Sequence, residues 1–126
     1  MKEKIRLGVL FGGRSGEHEV SLMSAKSILD VLDAEKYEIT QIGIGHDGTW
    51  WSGTNVMEDF EKASFKGLYR VFLLPEPGRT ILYRREERIG KEEISAITEL
   101  DVIFPVLHGT FAKAHHASDP LRTAAS

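Results

Sequence analysis

The hydrophobic positions of this chain change period several times, and each change predicts an element. Ile5-Arg6-Leu7-Gly8-Val9-Leu10-Phe11 is an apolar run bounded by charge before it and glycines after it. It predicts a strand buried on both faces, the first of an α/β sheet. Gly12-Gly13-Arg14-Ser15-Gly16 predicts a flexible turn. From about Ser21 the spacing becomes three and four, with Leu22, Ala25, Leu29 and Leu32 in one stripe that Ile28 widens. That is one face of a helix packed on the sheet, with Ser21 as its N-cap. Tyr37 to Ile44 alternates and predicts a second strand. Asp47-Gly48 predicts a turn leading into a short Thr49-Trp50-Trp51 strand, whose two indoles fall on opposite faces as core or edge packing.

The second half is patterned less regularly. Asn55 to Lys62 predicts a short acidic helix. Tyr69 to Leu74 predicts a strand ended by Pro75 and Pro77, and Thr80 to Tyr83 a strand in a surface hairpin. Glu92 to Glu99 suggests a helical turn or short helix. Asp101 to Leu107 predicts the last strand, with His108-Gly109 at its carboxyl end. The expected fold is therefore α/β: an open, mostly parallel sheet with flanking helices, Rossmann-like, carrying a small hairpin. Open sheets of this kind bind ligands outside the carboxyl ends of their strands. The glycine turn after Phe11 and the His108 corner would then share one cleft.

Composition narrows the classes. The 126 residues suffice for one compact domain, and 41% hydrophobic with 28% charged residues is ordinary globular material. A formal net charge of −3 marks neither a nucleic-acid binder nor an anionic-membrane binder. The absence of cysteine excludes disulfides, thiolate catalysis and cysteine-based zinc sites. No stretch is long and apolar enough for a signal peptide or membrane span, so a cytoplasmic location is expected.

The strand–glycine–helix unit invites a nucleotide-binding reading that its residues oppose. A phosphate loop needs a lysine at the helix start, and Gly16 is followed by Glu17. Gly12, Gly13 and Gly16 also miss the dinucleotide spacing, and a carboxylate there would repel a pyrophosphate. The plain alternative is a tight strand-to-helix turn. Glu17-His18-Glu19 sets two carboxylates and an imidazole before a helix. The helix dipole favours carboxylates there for structural reasons. The functional reading is that one carboxylate receives a cation such as a substrate ammonium. A metal reading is weaker, because no matching ligand set is evident and the adjacent His115-His116 tend to point apart. His108 alone, at a strand end, reads first as a hydrogen-bonded structural residue.

Three segments together resemble one family. Val9-Leu10-Phe11-Gly12-Gly13-Arg14-Ser15-Gly16-Glu17-His18-Glu19-Val20-Ser21-Leu22, continued by Ser24 to Ile28, resembles the amino-terminal signature of D-alanine–D-alanine ligases. Ile42 to Trp50 resembles their second strand and hairpin, and Leu100 to Thr110 their third landmark. The resemblance implies an ATP-grasp enzyme of three domains. In it, ATP phosphorylates one D-alanine, and the amine of a second displaces phosphate to give a dipeptide for peptidoglycan. ATP and Mg2+ are held by the central and carboxy-terminal domains. Carried over residue by residue, Glu17 meets the ammonium of the first D-alanine, Val20 and Ser21 line or support that pocket, and His108 with Gly109 lies beside the same substrate.

The same resemblance sets limits. It covers residues 1–111. From Ala112 to Ser126 the family pattern of Gly-Glu-Asp-Gly and a helix is absent, and a poorly ordered tail is expected from a shifted reading frame or from cloning. No complete catalytic set, no metal ligand set and no cofactor is expected within these residues. D-alanine should bind weakly in isolation, turnover should be absent, and a homodimer through an exposed apolar face is the implied protein partner. A D-alanine–D-lactate ligase fragment and a non-catalytic binding or dimerisation module are the alternatives.

Overall fold

A computed structural model describes residues 3–13 and 18–106. Its elements in chain order are β1 (Ile5–Gly12), α1 (His18–Val31), β2 (Tyr37–Ile44), β3 (Trp50–Gly53), α2 (Val56–Glu61), β4 (Leu68–Glu76), β5 (Arg79–Arg88), β6 (Lys91–Leu100) and β7 (Val102–Val106). The strands form one sheet of seven in the order β6-β5-β4-β3-β2-β1-β7. β1 is central to the parallel part and runs parallel to β2 and β7. Being covered on both faces, it reads as a continuous apolar run, and its last six residues are all buried.

The two faces of β1 belong to two cores. Leu7, Val9 and Phe11 pack with Leu22 and Ala25 of α1, with Val56, Met57 and Phe60 of α2, and with Val106. The predicted α1 stripe is therefore the packed one: Ile28, Leu29 and Leu32 extend this core. Leu10 faces the other way, toward Ile42, Ile44, Val71, Leu82 and Leu100. α1 and α2 touch each other on the first face, where Lys26 Nζ and Glu61 Oε2 lie 3.3 Å apart. The opposite face is covered by residues of β4, β5 and β6. Gly8 marks that closeness, since a Cβ on it would stand 2.7 Å from Leu100 Cδ1.

The α/β class is as expected, and the sheet is mixed. Only the β2-β1-β7 triplet is parallel; every pairing from β2 outward to β6 is antiparallel. The expected small hairpin is a long meander with two-residue turns, Pro77-Gly78 and Ile89-Gly90, whose glycines take φ of 83° and 68°.

Residues Glu92 to Glu99, expected to be a helical turn, are strand β6. The cause is a bulge: Tyr83 pairs with Ala96 and Leu82 with Thr98, leaving Ile97 as an extra residue. Ile94 and Ile97 thereby acquire a helix-like spacing of three inside a strand. Pro75 does not end β4, which runs on to Glu76. β3 pairs only with Leu68 to Arg70, so beyond Arg70 that side of β4 has no β3 partner requiring the missing N–H of Pro75. The short acidic helix stands as expected, with Asn55 and Lys62 at its ends. Trp51 packs against the helical-side core and Trp50 against the other, on opposite faces as their alternation requires. Among the described residues no helix is long and apolar enough to cross a membrane.

Candidate functional site

Parallel strands place their carboxyl ends at one edge. Gly12 of β1 stands beside Ile44 of β2, and Phe11 beside Val106 of β7. The turn between β2 and β3 lies at the same edge, since Ile44 pairs with Trp50.

The backbone leaves β1 through two glycines with positive φ, 94° at Gly12 and 117° at Gly13. Gly12 cannot be replaced without movement, because a Cβ there would lie 2.3 Å from the Ile44 carbonyl oxygen. The Gly13 N–H donates to that carbonyl at 2.8 Å. The chain is thus pressed onto the end of β2 just before residues 14–17.

Ser21 does not cap α1. The helix starts at His18, so Ser21 sits within it, fully buried. Its Oγ accepts from Gly12 N at 2.9 Å and donates to the Val106 carbonyl. One hydroxyl therefore ties the end of β1, the first turn of α1 and the end of β7 together. This tertiary pairing outcompetes the capping role that the sequence suggested, and it makes Ser21 a support of the edge.

His18 is 5% exposed, with Nδ1 2.8 Å from the Gly13 carbonyl oxygen. Only a protonated Nδ1 can donate to that oxygen, which assigns the tautomer through its partner. Its ring stacks on His46 from the β2–β3 turn, centroids 3.9 Å apart and planes inclined by 26°. Phe60 lies 6.0 Å away on a nearly parallel plane, and in turn stacks on Phe65. The Phe60 ring approaches so closely because Gly43 has no side chain; a Cβ there would be 2.4 Å from Cζ. Asp47 beside His46 is held below the usual carboxylate range by hydrogen bonds from the Thr49 hydroxyl and the Thr49 N–H.

Of the expected site residues, Ser21 is in the frame just described and Val20 is 46% exposed on α1. Glu17, His108 and Gly109 lie outside the described residues, as does the segment from Ala112 to Ser126. The sequence did not single out His46 or Phe60. His46 looked like part of an ordinary His-Asp-Gly turn, and no local pattern links it to His18. Yet His18, Glu19 and His46 each present a metal-ligating atom within 4.8 Å of the others. A cavity of about 370 Å³ lies on the meander, lined among others by Trp50, Arg70, Phe72 and Arg85. Arg85 there is already engaged with Glu92.

Comparison with known proteins gives the same pattern at three levels. The family model described as D-ala D-ala ligase N-terminus matches residues 6–113. A D-alanine–D-alanine ligase of Natranaerobius thermophilus is 48% identical over 112 residues, covering 88% of this chain and 29% of that protein. One from Heliobacterium modesticaldum is 42% identical, covering 84% of this chain and 28% of its own length. Among solved structures, the VanG D-Ala:D-Ser ligase of Enterococcus faecalis superposes with a TM-score of 0.66 at 28% identity, over 87% of this chain and 31% of that one. This chain thus spans roughly three tenths of the length of the relatives it matches.

Proposed function

Because this chain belongs to the family of D-Ala–D-Ala ligase amino-terminal domains, we propose that it is the part of such a ligase that receives the first D-alanine. The observation that carries the reading is the Ser21 tie. It fixes the carboxyl ends of β1 and β7 side by side, and the chain continues from those ends into residues 14–17 and 107–109. A zwitterionic amino acid needs an acid for its ammonium and donors for its carboxylate, because burying either charge unpaired is costly. Glu17 supplies the acid, His108 and the Gly109 N–H supply donors, and Ser21 with Val20 supports the wall.

In the complete enzyme ATP and Mg2+ would be bound by the other domains, and the dipeptide would serve cell-wall synthesis in the cytoplasm. The family's ATP lysines, metal carboxylates and oxyanion arginine have no counterpart in these 126 residues, so the chain alone should not turn over. The family domain is taken as residues 1–111, with 112–126 as a tail; the family model itself matches residues 6–113. The outward face of α1 leaves Met23 and Val31 exposed, which suits the homodimer; light scattering reads it directly.

The test is a chimera in which residues 1–106 of this chain replace the matching segment of the Natranaerobius ligase, with that enzyme's own sequence continuing through the His-Gly corner. D-alanine-dependent phosphate release is expected, and Glu17→Gln should raise KM for the first D-alanine well above that of the parent chimera. A chimera that folds and binds ATP but stays active with Glu17→Gln at unchanged KM would refute the assignment of Glu17. On the isolated chain, D-alanine and not ATP should shift the amide resonances of Gly12, Gly13 and Val106. The reverse result would favour a nucleotide-binding domain.

A further inference from the structure

We propose that His18, Glu19 and His46 form a binding site for a divalent transition-metal ion of the Zn2+ type, separate from the Mg2+ sites expected elsewhere in the family. Two segments distant in sequence, the first turn of α1 and the β2–β3 turn, bring the three ligand atoms within 4.8 Å of one another. Ligands around a tetrahedral zinc lie about 3.4 Å apart when its bonds are about 2.1 Å long. The group therefore needs to contract by at most about 1.4 Å.

The burial pattern permits this contraction. His18 is the fixed member, buried and walled by Phe60. Glu19 and His46 are exposed and free to adjust. The two imidazoles now stack face to face at 3.9 Å, so their in-plane lone pairs run side by side. Rotation of the exposed His46 ring turns its lone pair toward the shared centre at small cost.

The hydrogen bonding of His18 is the second observation. Its Nδ1 donates to the Gly13 carbonyl at 2.8 Å. The lone pair of the ring is then on Nε2, and the ring cannot turn. Metal-binding histidines are oriented in this way, through the second ring nitrogen on a backbone carbonyl or a carboxylate. Two imidazoles and one carboxylate select Zn2+, Cu2+ or Ni2+ over Mg2+ or Ca2+, which prefer oxygen alone. A three-ligand set leaves a fourth position for water. Bound there, the ion would clamp α1 to the β2–β3 turn.

The full 126-residue chain should be titrated calorimetrically with Zn2+, with the visible spectrum of Co2+ as a report on coordination. One saturable site is expected, with intense Co2+ bands of low coordination number. His46→Ala and Glu19→Gln should each weaken binding at least about tenfold, while the metal-free variants keep the parent Tm because both side chains are exposed. His115→Ala/His116→Ala should leave this site intact, and excess Mg2+ should not compete. The proposal is overturned if the parent chain takes up no Zn2+, if His46→Ala binds as tightly as the parent, if uptake disappears with His115 and His116, or if Mg2+ displaces the ion.

Discussion

Removing the Ser21 hydroxyl tests the frame of the site with a single oxygen. In Ser21→Ala the Gly12 N–H loses its partner at 2.9 Å, and the Val106 carbonyl loses a donor. Ser21 is completely buried, and an alanine leaves no room for water to substitute. An orphaned buried N–H costs about 1–3 kcal/mol, and a lost hydrogen bond about 0.5–1.5 kcal/mol. Helix propensity returns at most about 0.5 kcal/mol when alanine replaces serine. The net expectation is a loss of about 1–4 kcal/mol, a large share of the stability of a domain this size. With a urea slope of about 2 kcal/mol per molar, the midpoint should fall by about 0.5–2 M at unchanged slope. Ser27→Ala, on the exposed face of the same helix, is the control and should change stability by at most about 0.5 kcal/mol in either direction. A Ser21→Ala midpoint within error of the Ser27→Ala midpoint would refute the claim that this hydroxyl joins β1 to β7.

Two further expectations bear on neighbouring parts of the edge and the sheet. Gly12→Ala should destabilise by more than about 3 kcal/mol, since it combines a forbidding φ with a 2.3 Å approach to the Ile44 carbonyl oxygen. Gly13→Ala has the φ problem but open space around the new methyl, so about 1–2 kcal/mol is expected; equal losses in urea unfolding would contradict the steric argument. Asp101 is held below its ordinary pKa, chiefly by the Arg6 side chain and then by the Arg6 N–H, which lies 2.8 Å from Oδ2. A depressed folded-state value means the stabilisation is complete above the unfolded carboxylate value and disappears as pH falls through the folded one. Asp101→Asn should therefore lower the urea midpoint at neutral pH and have progressively less effect in acid; a loss independent of pH would exclude the ion pair as its cause.

How far the sequence foretold these features depends on how local their causes are. β1 was legible because burial on both faces writes a continuous apolar run, and β2 because its apolar residues also serve both faces, Tyr37 and Ile39 on the helical side and Ile42 and Ile44 on the other. α1 was legible because Leu22, Ala25, Ile28, Leu29 and Leu32 all turn toward one core. β6 was misread because its bulge at Ile97 shifts the alternation by one residue, and because an edge strand exposed over its first seven residues has little pattern to show. The parallel fraction was overestimated for a related reason. Two-residue glycine turns at Gly78 and Gly90 return the chain antiparallel, and only their tightness, not strand composition, distinguishes that path from a crossover. Ser21 was recognised as a hydroxyl near a helix start, but its partners at Gly12 and Val106 exist only after the strands have aligned. His46 had no signal at all, since its significance is contact with His18.

Stability and chemistry are divided between the two parts of the sheet. Most of the apolar burial lies along β1, against helices on one face and against Val71, Leu82 and Leu100 on the other. The meander thus fills the place a second layer of helices would take in a doubly wound fold. Its ion pairs, such as Arg88 with Glu93, are exposed and each contributes little. The edge that carries the candidate chemistry is instead held by a few directed bonds: Ser21 to Gly12 and Val106, Gly13 to Ile44, and His18 to Gly13. A truncation in the second core, such as Leu82→Ala, removes apolar contacts and no polar group. It should lower global stability and leave this edge in register as long as the domain is folded. A change at Ser21 or Gly12 acts on both, because the same atoms that close the fold at that end also fix where residues 14–17 and 107 leave it.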